Sequence, residues 1–166
     1  SGGYQNPGGA TIKNLTVSGP NNTQTTWDEG EYGIKIYNIT GVNLENVTVT
    51  AANAGIQVNS SAVTLKGTIT LSGNDWGGIE VCKSKNSEVT AVGTLNIDSG
   101  ASIVCTGDAV PAIWIDGEAG TAGTVTGASN LYTYTKTESN KTQIYYFTHI
   151  PAQAEAKIGN TLYDTL

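Results

Sequence analysis

The chain has no arginine and no methionine, and only one phenylalanine, one histidine and two cysteines among its 166 residues. Charged residues make up 13%, against roughly a quarter in an ordinary soluble domain. Each scarcity excludes something. Eight lysines, no arginine and a net charge of −6 leave no basic stripe for phosphate, so no nucleic-acid partner is expected. An anionic membrane surface is unsuited for the same reason. No apolar run approaches the roughly 18 residues of a membrane-spanning helix, so no membrane insertion is expected. The opening Ser1-Gly2-Gly3 is not followed by the apolar stretch of a signal peptide. Residues 1–9 therefore read as a linker or cloning scar, and secretion has to be inferred from elsewhere. Several Asn-x-Ser/Thr triplets follow from richness in Asn and Thr alone. Cys82 and Cys105 leave two alternatives open, one disulfide or two inert half-buried thiols.

What the chain does hold is glycine, threonine, asparagine and serine around short β-branched runs, the composition of a polar-surfaced sheet protein. One pattern returns at nearly fixed spacing: Tyr32-Gly33-Ile34-Lys35-Ile36, Ala54-Gly55-Ile56-Gln57-Val58, Gly77-Gly78-Ile79-Glu80-Val81 and Pro111-Ala112-Ile113-Trp114-Ile115. The steps from Gly33 to Gly55, Gly55 to Gly78 and Gly78 to Ala112 are 22, 23 and 34 residues. A second pattern interleaves, Asn14-Leu15-Thr16-Val17, Asn46-Val47-Thr48-Val49, Thr68-Ile69-Thr70-Leu71 and Thr94-Leu95-Asn96-Ile97. A weaker third strand precedes these at Val42–Leu44, Val63–Leu65 and Val89–Ala91.

Three short alternating strands per period, separated by Gly, Asn and Ser corners, make a coil that cannot bury its own apolar face and must stack on a copy of itself. The expected fold is all-β, a single-stranded right-handed parallel β-helix of about four to five rungs over residues 10–117. Ile34, Ile56, Ile79 and Ile113 would form one interior column, with Ile36, Val58, Val81 and Ile115 in the next. An antiparallel sandwich is the competitor, but it gives no reason for the Gly-Ile pattern to return at one-coil spacing. Two insertions, Pro20 to Gly30 and Asp98 to Val110, are expected as loops beside one strand column. Within residues 118–150, Leu131-Tyr132-Thr133-Tyr134 and Gln143-Ile144-Tyr145-Tyr146-Phe147 read as a hairpin through Glu138-Ser139-Asn140-Lys141, capping the end of the stack. Residues 151–166 read as a linker and the start of a next repeat unit.

The rungs resemble the pectate-lyase-like superfamily of right-handed β-helices, in which stacked asparagines often stand at a tight corner, as Asn14 and Asn46 do here. The closing Ala156-Lys157-Ile158-Gly159-Asn160-Thr161-Leu162-Tyr163-Asp164-Thr165-Leu166 is similar to the opening of a unit found in large repeat surface proteins of Gram-positive gut bacteria. The resemblance implies a secreted or wall-attached, monomeric module of a larger chain, acting in adhesion or carbohydrate recognition toward a glycan or host-surface ligand. It also admits a fragment of a carbohydrate-active enzyme, or a purely structural stalk. The lyases of that superfamily abstract a proton with a basic residue, commonly arginine, which this chain lacks.

The outward positions of the Gly-Ile strands would form two ladders, Lys35, Gln57, Glu80, Trp114 and Tyr37, Asn59, Cys82, Asp116. Trp27, Tyr32 and Trp76 lie close by in sequence. Aromatic rings beside amides and carboxylates suit sugar recognition, so these residues are the candidate ligand-binding set. Their bland reading is that the tryptophans cover coil edges. Asp28, Glu29, Glu31, Asp75, Glu80, Asp116 and Glu118 supply carboxylates that neighbouring rungs would bring within glycosidase range, but any β-helix with acids on adjacent rungs passes that test. No catalytic residue is assigned and no enzyme activity is expected. No compact Asp-x-Asp-x-Asp-Gly run appears, so no cofactor or metal is expected, Ca²⁺ being the one cation these acids would suit. Thr16, Thr48 and Thr70, with Ser18, Thr50 and Ser72, form a hydroxyl ladder of the kind seen in ice-binding solenoids, interrupted by Asn96 and Asp98; threonine is also the ordinary outward residue of a solvated strand. His149 has no Ser or Cys partner in evident reach.

Overall fold

β-Branched residues alternating with Thr, Ser or Asn favour a pleated strand with one buried face, and strands of this kind recur along the described residues. The computed structural model describes residues 8–19, 32–107, 110–117 and 123–149, with the backbone of 156–158 and 161–163. Among the described residues the protein is all-β, with no helix. The strands are β1 (Thr11–Lys13), β2 (Thr16–Ser18), β3 (Tyr32–Tyr37), β4 (Val42–Thr50), β5 (Ala54–Asn59), β6 (Ala62–Ser72), β7 (Gly77–Cys82) and β8 (Thr94–Ile97). They continue as β9 (Ser102–Cys105), β10 (Ile113–Ile115), β11 (Thr124–Thr126), β12 (Tyr132–Glu138), β13 (Lys141–Phe147), β14 (Ala156–Ile158) and β15 (Thr161–Tyr163).

The chain passes back and forth between two sheets. One holds β1-β4-β6-β8-β11, with β2 beside β4 and β9 beside β6. The other runs β14-β15-β12-β13-β10-β7-β5-β3. From β3 to β10 every strand pairs parallel with the strand one repeat away, which sets aside the antiparallel sandwich. The isoleucine column forms as the period predicts: Ile34 pairs with Ile56, Ile56 with Ile79 and Ile79 with Ile113. Ile56, Ile79 and Ile113 are fully buried and face Val47, Val49, Leu65, Ile69 and Leu71 of the opposite sheet within one core. Burying a side chain of this size contributes about 1.5–3 kcal/mol.

The recurring glycine of the Gly-Ile pattern is explained by the close approach of both the next repeat's backbone and the opposite sheet. A Cβ on Gly78 would sit 2.3 Å from the Ala112 carbonyl oxygen and 2.6 Å from a Leu71 methyl, and one on Gly55 would meet Leu71 at 2.9 Å. The corner inside β4 rests on Asn46, whose φ of 54° matches the 53° of Asn14 one repeat earlier. Asparagine tolerates this left-handed conformation better than other side chains. The two amides stack, Asn46 Nδ2 donating to Asn14 Oδ1 at 3.3 Å, while Asn46 Oδ1 accepts from the Thr68 backbone N–H at 3.0 Å. The next repeat has Gly67 at this corner with φ 62°, and a Cβ there would collide with Asn46 Oδ1.

The fourth repeat departs from expectation. Thr94–Ile97 aligns with Ala62–Leu65, not with Thr68–Leu71. The strand that continues Thr68–Leu71 is β9, Ser102 pairing with Thr68 and Cys105 with Leu71. Val89–Ala91 is not a strand; it lies in the connection 83–93. Most of the extra length of this repeat therefore follows β7 rather than preceding β10, because the step from Leu71 to Ile79 equals that from Cys105 to Ile113. The earlier insertion, Pro20 to Gly30, lies outside the described residues. The hairpin forms as predicted: β12 and β13 pair antiparallel about Ser139 and Asn140, both with positive φ, and β13 adds antiparallel to β10. β14 and β15 form a second antiparallel pair, with β15 beside β12.

Candidate functional site

The outward row of the eight-stranded sheet carries most of the chemistry. Lys35, Gln57, Glu80 and Trp114 occupy matching positions on β3, β5, β7 and β10. Glu80 is the hub, only 6% exposed. Its Oε2 accepts from the Tyr32 hydroxyl at 2.5 Å and from Gln57 Nε2 at 2.8 Å, and the Cys82 thiol lies two residues along the strand. Burial pushes the Glu80 carboxyl above the usual range; the hydrogen bonds from Tyr32 and Gln57 oppose this, and the neighbouring Asp116 charge adds to it. The Tyr32 phenol is raised by burial first and by Glu80 second, and its ring carries the Lys35 ammonium at 5.4 Å from the centroid.

Such a carboxyl joins three strands through its Oε2 and presents little surface to a solute. The Cys82 thiol is raised by burial and by Glu80, so it stays protonated at neutral pH and is a poor nucleophile. Beside it, Asn59 Oδ1 is buried without a protein partner, and Tyr37, one strand over, is 50% exposed with its hydroxyl 3.2 Å from Ser84 Oγ.

Several expectations are corrected here. Trp114 is 3% exposed, its ring lying over Gly77, so it is not an open stacking surface. It is sealed because the row does not end at Trp114: Tyr145 of β13 pairs directly against it. Trp76 is half-buried, and Trp27 lies outside the described residues, as do Asp28, Glu29, Glu31 and Glu118. Cys82 and Cys105 are both buried free thiols. Cys82 faces outward from one sheet, whereas Cys105 ends β9 in the other and joins the core. Burial raises the Cys105 thiol to about 11. Nor do Asn96 and Asp98 end the threonine ladder: Thr70 is followed by Val104, 43% exposed, and Asn96 pairs instead with Thr64. Among the described residues no group of His, Cys, Asp and Glu is arranged to hold a metal ion. His149 is exposed, 3.3 Å from Thr148 Oγ1.

No family model, curated protein or solved structure matches the chain.

What sequence reasoning missed is the continuation of the row into the hairpin. Tyr134 pairs with Tyr145 and Tyr132 with Phe147, all on the same outward side as Trp114. The Tyr134 and Tyr145 rings lie 6.1 Å apart at 31°, and Tyr145 and Phe147 6.4 Å apart at 27°. Phe147 is buried, whereas Tyr132, Tyr134 and Tyr145 are half-buried. Tyr145 donates its hydroxyl to Gln143 Oε1 at 2.7 Å, and Lys136 pairs with Glu138 at 2.8 Å on the rim. The signal was present: counting outward from the Ser139-Asn140 turn puts 134 opposite 145.

Proposed function

We propose that the chain is a right-handed parallel β-helical module of the pectate-lyase-like kind, displayed outside the cell, that binds carbohydrate without catalysis. Parallel strands joined through a second sheet cross over right-handedly in about 98% of cases, and the interior columns and stacked asparagine corner are in keeping with that superfamily. The observation that carries the binding reading is the pair Tyr134 and Tyr145, two half-exposed rings tilted 31° apart beside Gln143. Two adjacent tyrosine rings inclined by 31° offer an apolar surface to a sugar, with hydroxyls and amides at its edge to bond the sugar's own hydroxyls. The non-catalytic reading rests on the closure of Glu80 and the protonated state of Cys82. A glycan array with the intact chain and with Tyr134→Ala/Tyr145→Ala tests it, thermal melting confirming that both fold. Retained glycan binding in the double variant would overturn the assignment of the platform. Absence of binding to any glycan would leave the spacer reading, which the sealing of Trp114 favours.

A further inference from the structure

Among the described residues β9 is an edge strand of the seven-stranded sheet. The ladder β2-β4-β6-β9 keeps a single parallel register, and β9 has β6 on one flank and no strand on the other among the described residues. The Thr106 N–H bonds the Leu71 carbonyl, which fixes the parity of the ladder: Ser102, Val104 and Thr106 bond β6, while Ile103 and Cys105 turn their backbone groups to the open flank. One of these is satisfied by a side chain, Thr148 Oγ1 donating to the Cys105 carbonyl at 3.3 Å. Beside the flank lies a half-open cavity of about 250 Å³, lined by the aliphatic Ile97, Ile103 and Leu131 with Ala128 and by the polar Ser102, Asn130 and Thr148. Val104, exposed at the end of a column that is otherwise threonine, borders the same edge.

We infer that this flank is a strand-acceptor site for one extended peptide, which lies parallel to β9 and seats a β-branched aliphatic side chain in the cavity. The occupant's chemistry follows from the ladder it continues. Val47, Ile69 and Ile103 succeed one another at the inward position, and Thr48, Thr70 and Val104 at the outward one. The acceptor therefore selects a Val/Ile residue flanked by Thr or another β-branched residue, with main-chain hydrogen bonds to Ile103 and Cys105 supplying affinity and the cavity supplying specificity. This site is on the other sheet from Tyr134 and Tyr145 and does not depend on the glycan reading.

The probe is a fluorophore-labelled peptide with the sequence of residues 46–51, whose native pairing against β2, with the Thr48 N–H on the Leu15 carbonyl, is the one required at β9. Its binding is read by anisotropy, and backbone hydrogen exchange locates it on the protein. Saturable binding is expected, with the amides of Ile103 and Cys105 slowed about tenfold or more at saturation. A peptide with proline in place of the central threonine lacks the N–H that meets the Ile103 carbonyl and should bind about tenfold more weakly. Ala128→Leu, which fills the cavity from a half-buried position, should weaken binding similarly while its melting curve verifies the fold. Absence of saturable binding, equal affinity for the proline peptide, unchanged binding to Ala128→Leu, or unaltered exchange at Ile103 and Cys105 would each overturn the assignment.

Discussion

The two sheets are laid down by the same alternation yet treat their outward faces differently. On the seven-stranded sheet the outward residues Thr16, Thr48 and Thr70 meet solvent at least in part, and Lys13 and Glu45 form a 2.8 Å ion pair that solvent reaches. On the eight-stranded sheet the outward residues Glu80, Cys82 and Trp114 are buried. Alternation says which side of a strand is apolar; it does not say what covers the other side. Where the outward face is open, any small polar residue serves. Where it is closed, buried polar atoms need partners, and the sheet brings Tyr32 and Gln57 together on one carboxyl.

That contrast can be broken at several strengths. The largest effect is expected in the shared core: Ile79→Ala should cost about 2–5 kcal/mol in denaturant unfolding, whereas Thr70→Ala on the open face should stay within about 0.5 kcal/mol. A cost at Thr70 matching that at Ile79 would mean the open face is not open. Next comes Glu80→Ala, which strands the Tyr32 hydroxyl and the Gln57 amide and should cost about 1–3 kcal/mol; equality with Thr70→Ala would dissolve the distinction between the faces.

Glu80→Gln sharpens it through pH. The folded carboxyl is raised above its unfolded value, so its contribution is fully present below the unfolded value and is lost as the pH climbs through the folded one. Unfolding midpoints of the native chain should therefore fall over that window relative to Glu80→Gln, whose stability lacks this component; parallel pH profiles would contradict a raised carboxyl. A smaller effect is expected from reductant. With both thiols free and raised, dithiothreitol should leave the melting temperature unchanged, and thiol reagents should react only on unfolding. The smallest belongs to the exposed ion pair, where Lys13→Ala should change stability by less than about 0.5 kcal/mol.

The repeat was legible because its signal is doubled. Ile34, Ile56 and Ile79 recur at 22 and 23 residues, each after a glycine that leaves no room for a Cβ, and Ile113 repeats the motif after Ala112. The fourth repeat was not, because Thr94-Leu95-Asn96-Ile97 and Ser102-Ile103-Val104-Cys105 carry the same alternation, and only pairing with β6 tells them apart. The candidate site was half visible. Lys35, Gln57, Glu80 and Trp114 were placed in one row by period alone. The burial of Trp114 was hidden because it depends on β13, some thirty residues later in the chain and running the opposite way.

The parallel register has a mechanical consequence. β3 stands at one edge of the eight-stranded sheet and the β12–β13 hairpin lies beyond β10 toward the other. Tension applied between these places acts along the ladder hydrogen bonds, end-on, rather than shearing many at once. Since each repeat touches little beyond its neighbours, such a load would peel strands away singly, each yielding before the next is strained. The stack would give way gradually, as a series of small releases, and would shorten again in the same steps when the pull subsides.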